Sequence, residues 1–260
     1  MRYHGGKTRL GKAISRIIIN TIHQCGFEIN GYVEPFCGMC GVLTHVVQSS
    51  NLPRYLASDS NESVVKMWTS IRDGWRPEIE TFNEERFNYL KGNGESSAEK
   101  GFFGHAMTFG ALYFQCYRED LRRLLDYSMR DVIKRSLSLK DVEFSFGDYI
   151  QFVSGVMDNS VIYCDPPYER RSRYYDESNK IIEFDSETFW SVCVQMSRSN
   201  IVLISENISF FEKKMGAYTG KSRVINLPGH SNRFGKTCRD SGEFICIMTH
   251  LDVALDEIII

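Results

Sequence analysis

The chain has 260 residues, with 31 Lys plus Arg against 33 Asp plus Glu and a formal net charge of -2, so it is neither a polycation nor an acidic tail protein. Any contact with nucleic acid must therefore be local rather than an effect of overall charge. At 42% hydrophobic, 13% aromatic and 25% charged residues the composition is that of an ordinary globular protein, which excludes long disorder and fibrous repeats.

The length suits one large domain, or one domain with a substantial insertion. No apolar run approaches the roughly 18–20 residues of a membrane span, so no membrane partner is expected. The start, Met1-Arg2-Tyr3-His4-Gly5-Gly6-Lys7, lacks the apolar block of an export signal. Eight cysteines are too sparse for a disulfide scaffold, and a reducing, cytoplasmic location follows as the expectation.

In chain order, Ile14, Ile17, Ile18, Thr21 and Ile22 recur at helical spacing and predict an amphipathic helix over 8–24. Gly31–Phe36 reads as a strand, Cys37-Gly38-Met39-Cys40-Gly41 as a glycine loop, and Val42–Val47 as a second helix. Arg54–Ser58 is a short apolar strand ending at Asp59-Ser60-Asn61, with a helical stretch after it through Trp68 and Ile71. From about Lys66 to Lys140 the texture turns to charged helical patterns, so residues 66–140 read as a helical insert and residues 1–65 and 141–260 as one discontinuous domain. Strand patterns return at 142–146, 161–164 and 201–204, with a helix over 186–196, and the tail alternates as two antiparallel strands at 222–227 and 243–248. The fold class is α/β with an inserted helical subdomain.

Three strand ends carry unusual residues, and in an open α/β sheet the ligand crevice lies at the carboxyl ends of the strands. The first, Glu34-Pro35-Phe36 with Gly38 and Gly41, lets backbone approach a ligand closely; alone it is equally a tight strand-to-helix turn. The second is Asp59, an acid able to accept hydrogen bonds from both hydroxyls of a ribose, or else a solvated helix cap. The third, Asp165-Pro166-Pro167-Tyr168, carries the strongest signal. Two prolines remove backbone donors and stiffen the turn, leaving a carboxylate, outward carbonyls and an aromatic ring together. That set suits a planar amine: Asp165 and the Pro166 carbonyl accept its two N–H bonds while Tyr168 stacks on the ring bearing it. The bland alternative is a buried turn whose Asp caps a helix.

Tyr3-His4-Gly5-Gly6-Lys7, the glycine loop, Asp59-Ser60-Asn61 and Asp165-Pro166-Pro167-Tyr168, in this order, resemble the Dam-like (D12 class) DNA adenine N6-methyltransferases. Gly101–Gly104, Thr108–Ala111 and Tyr117-Arg118 are similar to the phage-type branch of that family, as are Gly74–Pro77 and Phe184–Trp190. The insert departs from the enterobacterial Dam pattern, so a GATC target is not implied. The resemblance implies S-adenosylmethionine as cofactor, DNA as partner, a Rossmann-like methyltransferase sheet, a target-recognition role for the insert, and base flipping. It also implies site roles: Tyr3 and Lys7 closing over the cofactor, Glu34, Pro35, Phe36, Gly38, Gly41, Asp59 and Asn61 around it, Asp148 and Tyr149 beside its adenine, and Asp165, Pro166, Pro167 and Tyr168 at the target amine.

Arg118, Arg122 and Arg123 in the insert, Arg170 and Arg171 after the catalytic motif, and Lys221, Arg223, Arg233 and Lys236 in a tail stretch without acids are the candidate DNA contacts, although such a run is also an ordinary solvated face. Arg118 also has Glu119 and Asp120 as neighbours for a structural salt bridge. Cys37 and Cys40 form a CxxC, but no second pair completes a zinc site, and no metal is expected. Rival readings are N4-cytosine methylation, since that amine presents the same two N–H bonds, a catalytically silent nucleic-acid-binding module of the same fold, and a thiol oxidoreductase. Nothing in the sequence sets an oligomeric state.

Overall fold

A computed structural model of the chain describes residues 1, 6–168, 174–175, 181–227 and 243–258. The expected contacts Tyr3, Arg170, Arg171, Arg233 and Lys236 lie outside the described residues.

The centre is a seven-stranded mixed sheet. Its strands, in chain order, are β1 (Gly31–Glu34), β2 (Tyr55–Asp59), β3 (Val142–Phe146), β4 (Ser160–Cys164), β7 (Ile201–Glu206), β8 (Lys221–Leu227) and β9 (Glu243–Thr249). A two-residue pair, β5 (Tyr174–Tyr175) with β6 (Ile181–Ile182), stands apart. The order across the sheet is β3-β2-β1-β4-β7-β9-β8, parallel from β3 through β7 and antiparallel beyond. This is the Rossmann-like arrangement expected of an α/β methyltransferase.

Burial explains which segments became strands. β1, β4 and β7 are covered on both faces and are buried at every position, so they read as continuous apolar runs, whereas β3 sits at the edge with Glu143, Ser145 and Phe146 exposed. Helix α1 (Gly11–Gln24) buries Ile14, Ile17, Ile18 and Thr21 along one face, and the chain leaves it through Gly26 at φ 78°, a left-handed position that favours glycine. Helix α2 (Leu43–Ser49) follows β1, and α3 (Glu62–Arg72) follows β2. The Asn61 side chain caps α3 by accepting from the Val64 N–H. Helices α7 (Tyr149–Ser154), α8 (Ser186–Met196) and α9 (Ile208–Lys214) pack the other face. Asp185 caps α8 at two N–H groups, which is why its predicted bounds coincide with those observed.

The inserted segment contains α4 (Glu84–Gly92), α5 (Ala98–Ala106) and α6 (Leu125–Ser136). Its aromatic residues Phe82, Phe87, Phe102, Phe103 and Phe114 share one core with Ile14, Trp68 and Val142, so the segment is built onto the sheet layer. Helix α3 runs unbroken past residue 66, and the chain leaves the sheet layer only after Arg72. No described helix is long and apolar enough to cross a membrane.

A candidate active site at the switch between β1 and β4

The chain turns from β1 toward β2 and β3 on one side, while β4 and β7 extend the sheet on the other, so the crevice of the fold opens at the carboxyl ends of β1 and β4. In-register pairing of Val33 with Ile162 puts the ends of both strands side by side. Five carboxylates from separate segments stand on this edge: Glu34, Asp59, Asp165, Glu206 and Glu243. The three strand ends singled out in the sequence are therefore brought together.

The glycine loop is gripped from three directions. The Gly38 N–H donates to Asp59 Oδ2 at 2.9 Å, the Gly38 carbonyl accepts from the buried Trp68 indole at 2.9 Å, and the Met39 carbonyl accepts from Arg135 at 3.0 Å. Gly38 has φ 43°, the left-handed region where a side chain is strained. Gly41 serves close packing. A Cβ there would meet Thr8 N at 3.2 Å, and a Cβ on Gly11 would lie 2.1 Å from the Gly41 carbonyl oxygen. The two glycines let the start of α1 settle on the loop, which carries Lys7 into the crevice.

Asp59 is 8% exposed, and its second oxygen accepts from the Asn61 N–H at 2.9 Å. Each carboxylate oxygen thus holds one backbone N–H, which fixes the Asp59 side chain at the end of β2. Phe36 and Tyr149, from the segments after β1 and β3, meet at 5.1 Å even though β2 lies between those strands, and Phe184 and Phe189 complete a four-ring cluster. Asp148 caps α7 by accepting from the Ile150 N–H at 2.7 Å. A carboxylate at the end of β2, aromatic faces and a loop glycine without a side chain fit a nucleoside-bearing cofactor such as S-adenosylmethionine.

Glu34 is 2% exposed and accepts from the Tyr32 hydroxyl at 2.6 Å. Burial pushes its carboxyl up from 4.5 to about 8, against the opposing pull of the Tyr32 bond and with a further push from Asp165. The folded chain therefore holds a proton here that the unfolded chain loses near 4.5, so stability from this group falls as pH rises from about 4.5 through about 8. Glu34→Gln keeps an acceptor for Tyr32 without the charge. Its melting temperature relative to the parent chain should climb between pH 5 and pH 8; a constant difference would mean that Glu34 does not titrate in that window.

Asp165 stands one residue beyond β4. Its Oδ1 lies 2.6 Å from Lys7 Nζ, and the same ammonium is 3.5 Å from Glu243 Oε1. The Tyr168 hydroxyl donates to that Glu243 oxygen, and Lys7 Nζ sits 4.6 Å from the centre of the Tyr168 ring. Burial raises the Asp165 carboxyl to about 6, with Lys7 pulling down and Glu243 pushing up. Lys7 thus reaches both Asp165 and Tyr168, and Glu243 joins them unannounced by any motif.

The expected DNA contacts that lie among the described residues are not gathered in one place. Lys221 and Arg223 lie in the first half of β8, which runs antiparallel to β9, so they stand toward the sheet edge away from Asp165, about 20 and about 13 Å along the strand from Leu227. Lys221 pairs with Asp252 at 2.6 Å, and Arg223 donates to the carbonyls of Leu255, Asp256 and Ile258. In the insert, Arg122 holds Glu119 at 2.7 Å, while Arg118 makes a two-pronged bond to Asp120 at 2.7 and 2.9 Å and lies over the exposed Phe109 ring at 5.4 Å. Arg123 is exposed.

Cys37 and Cys40 are buried against each other. That contact, followed by burial, raises the Cys37 thiol, and burial raises Cys40, which moves both away from thiolate reactivity. Among the described residues no group of three His, Cys, Asp or Glu side chains is placed to hold a metal ion.

No curated protein matches the sequence. Among solved structures, the chain is similar to a precorrin-6y C5,15-methyltransferase from Geobacter metallireducens GS-15 (7% identity, 91% of this chain and 86% of that one, TM-score 0.42). It is also similar to the rRNA methyltransferase aviRa from Streptomyces viridochromogenes (11%, 94% and 85%, TM-score 0.42) and to the methyltransferase domain of a bacterial CtHen1 (12%, 94% and 98%, TM-score 0.43). A family model described as D12 class N6 adenine-specific DNA methyltransferase matches residues 3–130, a span that holds the glycine loop, Asp59 and most of the insert and stops short of Asp165. Residues 3–130 are thus similar to the D12 class N6 adenine-specific DNA methyltransferases.

Proposed function

We propose that the chain methylates the N6 amine of adenine in DNA, on a base turned out of the duplex into the crevice between β1 and β4. The observation that carries this reading is the position of Asp165 and Tyr168 at the switch point, one strand away from the gripped glycine loop and two from Asp59. S-adenosylmethionine, when bound, supplies a methyl group on a positively charged sulfur. Asp59, Phe36, Gly38 and Tyr149 are the residues that would hold it.

The rest is done by the chain's own groups. The adenine amine has its lone pair delocalised into the ring; the Asp165 carboxylate and the Pro166 carbonyl, by accepting hydrogen bonds from its two N–H groups, favour a more nucleophilic nitrogen, which takes the methyl as the S–C bond breaks and then gives up one proton. Tyr168 offers a ring face on which an extruded base stacks, and extrusion is required because a stacked base cannot reach the crevice. Fixing both reactants at this edge supplies much of the rate by proximity.

The insert, spanning about 66–140, is proposed to read the target sequence, with Arg118 and the exposed Phe109 at its outer turn. Arg118→Ala should relax or reduce methylation of the preferred sequence, by about 1–3 kcal/mol of discrimination if it grips a guanine, with donor affinity unchanged. Full activity on the same mapped sequence would assign Arg118 to its Asp120 bridge instead.

The substrate class is tested by offering the chain methyl-labelled donor with DNA, RNA and protein mixtures. The label is expected in DNA. Label confined to RNA or protein would refute the proposal.

A further inference from the structure

We infer that Glu243 is a positioning residue of the methyl-transfer site: it is the second acceptor onto which Lys7 withdraws when the target amine takes Lys7's place at Asp165. The inference rests on the functional reading above for its substrate and on geometry for the rest. Lys7 Nζ lies 2.6 Å from Asp165 Oδ1, an oxygen that the proposed amine also uses. The two cannot both hold that oxygen at hydrogen-bond distance along the same direction. Lys7 must give way.

Its side chain is 9% exposed, and a buried ammonium moved off Asp165 carries a large desolvation penalty unless another anion receives it. Glu243 removes that problem. Its Oε1 is already within 3.5 Å of the same nitrogen, so a small swing exchanges one carboxylate for the other, and an ammonium with three rotatable donors makes that exchange without an unpaired state. The same Glu243 oxygen accepts from the Tyr168 hydroxyl, so the residue that receives Lys7 also fixes the orientation of the ring on which the base stacks. Glu243 reaches this place because β9 runs antiparallel to β7, which sets its first residue beside the end of β7, next to the Glu206–Phe244 pair.

Glu243→Gln separates the two roles, since the amide oxygen still accepts from Tyr168 but no longer neutralises an ammonium. With DNA saturating, its kcat should fall by roughly 30-fold with the donor KM unchanged, because a displaced Lys7 no longer has the Glu243 charge to move to. In a Lys7→Met background the same change should cost less than about threefold, as there is no ammonium left to receive. An independent readout uses the chain alone, without donor or DNA: acetic anhydride labelling of Lys7, read by mass spectrometry against other lysines, should quicken about tenfold in Glu243→Gln because the ammonium has lost one stabilising charge.

Unchanged Lys7 labelling, or an equal loss of kcat with and without Lys7, would overturn the inference. If the parent chain transfers no methyl to DNA, the functional reading fails instead, and the labelling result alone decides whether Glu243 shares Lys7.

Discussion

Asp165→Ala is expected to abolish methyl transfer, with kcat down by about a thousandfold or more, while donor affinity stays within about tenfold. The expectation follows from where Asp165 stands. It is beyond the end of β4, across the switch from Glu34 and apart from the residues around Asp59 that fit the donor. The carboxylate must be ionised to accept from an amine, and burial sets its titration at about 6, so activity should fall as pH drops through about 6. Lys7 pulls that value down. Lys7→Met should therefore move the acidic limb to higher pH. A tritiated-methyl assay across pH 5–9 on the parent chain and both variants checks all three statements, and parent-like activity of Asp165→Ala would remove Asp165 from the reaction.

Asp59→Ala has the second-largest expected effect, a loss of donor affinity of about 1.5–3 kcal/mol, the range for hydrogen bonds to a charged group. More than a ligand contact is lost. The Gly38 N–H and the Asn61 N–H both lose their acceptor, so the glycine loop and the cap of α3 loosen together, and the melting temperature should fall as well. Asp59→Asn retains one acceptor oxygen and should lie between the two. Calorimetry of donor binding, paired with thermal unfolding, separates the contributions; unchanged affinity would move the ribose contact to another residue.

The residues that the sequence exposed are those where a buried strand ends abruptly in chemistry. Val33-Glu34-Pro35, Ser58-Asp59 and Cys164-Asp165-Pro166 each break an apolar run with a carboxylate, and a parallel sheet sends such ends to one edge. Helix α8 was legible to the residue because Asp185 caps it and its apolar period is clean. Glu243 escaped for the converse reason. It opens an apolar run, and only the antiparallel direction of β9, which no local pattern encodes, turns a strand's beginning toward the site. The partners of Arg223 are equally invisible in the sequence, since they are carbonyls of the C-terminal segment folded back beside β8. Arg135 and Trp68 reach the loop carbonyls from separate helices, a convergence set by packing rather than by spacing.

In the proposed reaction one edge of the sheet presents a base amine to a methyl donor, and nucleoside analysis is the direct test. DNA incubated with S-adenosylmethionine and the parent chain, digested to nucleosides and resolved by mass spectrometry, should contain N6-methyladenine, and the same digest after Asp165→Ala should contain none above background. N4-methylcytosine in its place, or unmodified DNA with the parent chain, would contradict the account.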